Sequence, residues 1–196
     1  MRRRTVLGWG VGAAGAAAFA GPGAAAAAPA VAASPVGRAT VSIPAIRPIA
    51  VEGTGLSVRL LAGPAATVLV YVARRFHYEI DTLGPGDLVG DPAGTAIDIR
   101  PGFYPAGVTG GFLPHQLIVI RDILAECDGI VRWGGDSAKV PTESRFAVAV
   151  GATDPRLRAL AQRLGGRAAR PGAEMARPFT TARMKKAETL RRRMKG

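Results

Sequence analysis

The chain has 196 residues and a formal charge of +12, and its one cysteine, Cys127, excludes an intramolecular disulfide and a thiolate zinc cluster. Less a leader, that length suffices for one hydrophobic core. The charge is uneven: Arg2, Arg3 and Arg4 stand at the front, residues 34–164 are close to neutral, and residues 165–196 carry ten cations against Glu174 and Glu188. The globular part is therefore almost neutral and the basicity sits in the two ends, where a polyanion partner would be met; for an exported chain that partner is not expected to be nucleic acid.

Residues 1–33 read as an export signal. Arg3-Arg4-Thr5-Val6-Leu7 fits the twin-arginine pattern. The Ala- and Gly-dominated run after it is broken by Gly21-Pro22-Gly23, which argues against a stable membrane span. Ala28, Ala30 and Ala32 offer cleavage sites. The expected destination is the cell envelope or the medium.

From residue 34 the chain alternates short apolar runs with breakers. Ala39–Ile43 and Leu56–Leu61 read as strands, with a turn at Gly53–Gly55. Pro64 opens a helix expected over 64–82, with Leu69, Val72, Phe76 and Ile80 on one face. Arg74, Arg75 and His77 lie off that stripe, where a solvated face is the ordinary fate of charge. Residues 87–91 read as a short connection, and Thr95–Arg100 as a strand with Asp98 on the opposite face from Ile97 and Ile99. A Gly- and Pro-rich loop, 101–113, carries Phe103, Tyr104 and Phe112, which either line a cleft or pack on the sheet. Pro114 opens a second helix over 114–128 with Cys127 in its buried stripe, and Gly129 stops it. His115, in its first turn, reads as solvated. Residues 130–133 and 146–150 are strands, and a helix follows over 154–164, ended by Gly165-Gly166. The tail, 165–196, has few large apolar residues and no strong period, so it reads as a disordered basic segment, in which Ala182–Lys195 could become a helix on an anionic surface.

The stretch between Asp91 and Phe146 carries the chemistry. It holds Gly94, Ala96 and Asp98 in a Gly-x-Ala-x-Asp run, then Trp133-Gly134-Gly135-Asp136, then Glu143, Arg145 and Phe146. This spacing resembles the zinc-dependent D-alanyl-D-alanine carboxypeptidases of the hedgehog/DD-peptidase fold. Those enzymes carry His-x6-Asp in the first segment, a Trp-Gly-Gly-Asp turn, and an acidic residue shortly before a final His-Phe. Asp98 stands at the ligand Asp; Asp91 and Arg145 stand where the family has its two histidines.

The resemblance covers residues 56–164 and implies an α+β fold, a single domain in which an antiparallel sheet is flanked by helices. It implies zinc as cofactor, held by Asp98 and, in place of His, Asp91, with Glu143 as general base. It implies peptidoglycan stem peptide as partner, met by Arg75, Trp133, Asp136 and Arg145. Arg145 is always protonated and offers no lone pair, so the chemistry favours a relative impaired in metal binding and catalysis. An active metallopeptidase with a non-standard ligand set is the alternative. Glu143 and Arg145, two apart, would otherwise form an ion pair on one strand face, and Asp98 a strand-end acceptor. The exported basic tail would meet anionic wall polymers.

Overall fold

The computed structural model describes residues 45–168 and 180–195. Two antiparallel sheets and four helices give it the α+β class that the sequence suggests. The first sheet is a hairpin of β1 (Ile46–Val51) and β2 (Leu56–Leu61), turned at Gly53 and Gly55, both at positive φ. The expected strand Ala39–Ile43 lies outside the described residues. The observed β1 contains Pro48, which breaks the usual strand signature. It is tolerated because, among the described residues, β1 is an edge strand paired to β2 alone.

Three helices start where proline sets φ at their first turn. These are α1 (Pro64–Glu79), α2 (Pro114–Glu126) and α3 (Pro155–Ala168). Between α1 and α2 the chain forms β3 (Leu88–Gly90) and β4 (Ala96–Ile99). After α2 come β5 (Val131–Trp133), a 3-10 turn over Gly134–Asp136, and β6 (Arg145–Val148). The second sheet is antiparallel throughout, in the order β3-β4-β6-β5. The expected pairing of the 95–100 and 146–150 segments is present as β4 on β6, with Ile97 opposite Phe146. The stretch 87–91 is more than a connection: its three central residues pair with β4.

Alternation along β4 and β6 sorts the two faces. Ile97, Ile99 and Phe146 are wholly buried, together with Leu69, Val72 and Phe76 of α1 and Ile120 and Ile123 of α2. Burial of each such side chain contributes roughly 1.5–3 kcal/mol. Cys127 is enclosed in this core, and burial raises its thiol pKa to about 12, so it is a packing residue. The two sheets meet at Gly94, whose carbonyl accepts the Leu61 amide at 2.9 Å. Gly94 has φ +67°, and a Cβ there would overlap the Leu61 backbone nitrogen.

Two expectations for the C-terminus are corrected. The helix does not stop at Gly165-Gly166 but runs to Ala168. Gly165 lies beside Thr67 of α1, within ordinary contact distance for an added Cβ. Residues 181–195 of the tail are not a disordered segment but a helix, α4 (Thr181–Lys195), packed against α2. Its inward residues are Arg183, Ala187 and Leu190, at i, i+4 and i+7. Only one of these is large and apolar, so a search for apolar periodicity passes it over. Charge docks it instead: Arg183 bonds Asp122 at 2.6 Å and Glu126 at 2.9 Å, and Lys186 bonds Asp128 at 2.6 Å. No helix among the described residues is long and apolar enough to cross a membrane.

Candidate functional site

The β4–β6 register puts Asp98 directly opposite Arg145. On the face away from Ile97 and Phe146, Arg145 Nη1 donates to Asp98 Oδ2 at 3.1 Å. Asp98 is 19% exposed and Arg145 41%, so the cation is the outward member. Asp98 Oδ1 is buried without a hydrogen-bond partner. Burial raises the Asp98 pKa above the ordinary carboxylate value, the Arg145 charge pulls it back, and the Asp91 charge pushes it up again.

Asp91 closes the turn into β4. Its Oδ1 accepts the amides of Thr95 and Ala96, each at 2.7 Å, while its own amide bonds the Ala96 carbonyl at 3.1 Å. Asp91 thus has a local structural task besides its electrostatic effect on Asp98. The three positions that the resemblance gives to metal ligands, 91, 98 and 145, are gathered on one part of the sheet.

Glu143 faces another way. Its two carboxylate oxygens accept the amides of Gly110 and Gly111, each at 2.9 Å, and the side chain is buried. The expected Glu143–Arg145 pair is absent. β6 begins at Arg145, so Glu143 belongs to the preceding turn, and the two-residue alternation of a strand does not reach it. Glu143 instead anchors the loop 101–113. The ring of Tyr104 stacks on Phe112 at 4.2 Å, and Phe112 meets Trp133 edge-on at 6.0 Å. Of the loop's three aromatics, Tyr104 and Phe112 pack inward and Phe103 is exposed.

Trp133 is buried against this cluster and donates its Nε1 proton to the Glu143 carbonyl at 2.7 Å. Asp136 takes both Arg121 nitrogens, at 2.5 and 2.8 Å, and the same guanidinium lies 4.9 Å from the Trp133 ring centre. A bidentate pair of this geometry fixes orientation as well as charge. It ties the 134–136 turn to α2. Gly134 then receives the Thr142 amide on its carbonyl at 2.9 Å, and a Cβ on Gly134 would overlap the Thr142 carbonyl. The Trp-Gly-Gly-Asp turn therefore sets the position of the chain that enters β6 and carries Arg145.

Arg75 lies in a different place from these groups. It is 6% exposed at the meeting of α1, α2 and α4. It donates to Glu79 of its own helix, to Asp122 at 3.0 Å, to Glu126 at 3.1 Å and to the Tyr71 hydroxyl at 3.1 Å. Arg183 approaches the same two α2 carboxylates from the other side. The sequence reading missed this cluster. Its signal was there: Arg75 and Glu79 are four apart on one helix, and Asp122 and Glu126 four apart on another. His115 is exposed, as expected of a helix start.

The residues at 91, 98 and 145 do not fit a zinc ion. Arg145 can only donate, and it donates to the one carboxylate best placed as a ligand. Asp91 has one oxygen already committed to two backbone amides. Among the described residues no three His, Cys, Asp or Glu side chains converge on a point where a metal could bind. What the arrangement offers is a half-exposed guanidinium held by a half-buried carboxylate, beside a second carboxylate.

No family model matches the chain, and no curated protein and no solved structure is similar to it.

Proposed function

We propose that the protein is an exported relative of the zinc D-alanyl-D-alanine carboxypeptidases, of hedgehog/DD-peptidase-like fold, that binds peptidoglycan stem peptides without cutting them. The observation that carries this reading is the Asp98–Arg145 register. In that family the ligand Asp and the terminal His must meet on one ion. Here the residues at both positions are cross-strand partners, and the residue at the remaining ligand position, Asp91, is near enough to perturb Asp98. A side chain that carries its own positive charge occupies the place of the last ligand. Export by the twin-arginine route, from the Arg3-Arg4 pattern, would deliver the domain to such a partner.

The test is metal and substrate titration on the full chain. The wild-type protein should bind zinc poorly and leave peptides ending in D-Ala-D-Ala intact. Asp91→His with Arg145→His should restore zinc binding near one ion per chain, and either change alone should not. The histidine at 91 forfeits two amide bonds, at roughly 1 kcal/mol each, so folding is to be followed alongside. Stoichiometric zinc with cleavage by the unmodified chain would refute the reading and establish an active metallopeptidase.

A further inference from the structure

The expectation that the tail meets wall polymer rests on its charge alone, and the docked α4 adds a second property. Between α2 and α4 runs a groove of about 300 Å³ with a mainly apolar floor. Leu117 and Ile118 form one wall, Met184 and Ala187 the other, and the guanidinium groups of Arg121 and Arg191 border it. Ile118 is 49% exposed and Met184 54%. Along α4, Met184, Glu188, Arg191 and Arg192 fall at i, i+4, i+7 and i+8, and so share the helix face that rims the groove. The helix carries seven cations and one acid. Among the described residues Arg191 and Arg192 have Glu188 as their ion-pair partner, at 3.5 and 3.3 Å, in exposed pairs that hold them weakly.

We infer that this α2–α4 face is a peripheral docking surface for an anionic lipid bilayer. Cations gather at the negative headgroup plane while apolar side chains enter the acyl boundary, and binding of this kind needs both. A phosphate polymer in water satisfies the arginines but offers nothing to Ile118, Met184 and the apolar floor between them. The bilayer accounts for both properties of the surface. The contact is interfacial and reversible, and it is independent of what the Asp98–Arg145 site holds.

The test is co-sedimentation of the full chain with phosphatidylglycerol vesicles and with phosphatidylcholine vesicles. Poly(glycerol phosphate) serves as soluble competitor. The wild-type chain should sediment with the anionic vesicles only. Arg191→Gln with Arg192→Gln should weaken partitioning about 25-fold, or about fivefold per cation. Ile118→Ser with Met184→Ser should weaken it at least tenfold with the charges intact. All four side chains are exposed, so thermal melts should match wild type. Equal sedimentation with both vesicle types, or with neither, overturns the inference. A serine pair that binds anionic vesicles like wild type, with full competition by the polymer, overturns it in favour of the polymer.

Discussion

Replacing Arg75 by Met tests whether this residue serves the fold or a ligand. Its side chain is 7% exposed and three carboxylates contact it. Methionine keeps much of the volume and removes the cation. Glu79 is 31% exposed, so water compensates it. Asp122 is 5% exposed and Glu126 13%, and Arg183 contacts both of them as well. Removing one member of a buried pair costs about 3–5 kcal/mol, and the remaining cation places this case near the lower end. At about 3 kcal/mol the melting temperature should fall by roughly 6–12 °C for a chain of this size.

The loss should depend on pH in a defined sense. Burial already raises the Asp122 pKa above its ordinary value, while Arg75 and Arg183 hold it down. Without Arg75 it should rise further. A carboxylate whose folded pKa exceeds its unfolded one binds more proton when folded, so stability falls as pH rises between the two values. The gap between wild type and variant should therefore be widest at pH 7 and narrow toward pH 4. Urea unfolding at both pH values measures this, and adding Asp122→Asn should return part of the loss at pH 7. A gap below about 1 kcal/mol, or one equal at both pH values, contradicts the reasoning. Unchanged stability with lost affinity for wall peptide would assign Arg75 to the ligand.

Gly94→Ala forces a Cβ into the Leu61 backbone at φ +67°. It should lower stability by more than the roughly 1–2 kcal/mol of the left-handed backbone alone, read by denaturant unfolding; a neutral result would mean that the two sheets can part there. Replacing Arg3 and Arg4 by Lys should hold uncleaved precursor in the cytoplasm, read by fractionation, and unchanged secretion would remove the twin-arginine assignment.

What the sequence made legible is what local rules dictate. Proline at 64, 114 and 155 marks the three helix starts because it fixes φ where no amide partner is needed. Asp98 on the face opposite Ile97 follows from alternation in β4. The illegible parts depend on partners distant in the chain. β1 carries Pro48 and is a strand only because β2 lies beside it. α4 has little apolar period because Asp122, Glu126 and Asp128 of another segment receive its cations. Arg75 looks like surface charge until α2 and α4 enclose it. Glu143 is separated by over thirty residues from the two glycine amides it binds. Spacing within a segment carries none of that information.

Trp133 gives the molecule an optical consequence. The chain has two tryptophans, and the other is Trp9. With Trp9 replaced by Phe, all indole emission comes from one ring. That ring touches Phe112 of the loop 101–113, faces Arg121 of α2 and bonds the backbone at Glu143 two residues before Arg145. Whatever displaces the loop, the turn or the entry to β6 changes the polarity around a single fluorophore. Occupancy near Arg145 can then be followed in the unlabelled protein by the wavelength of its own light.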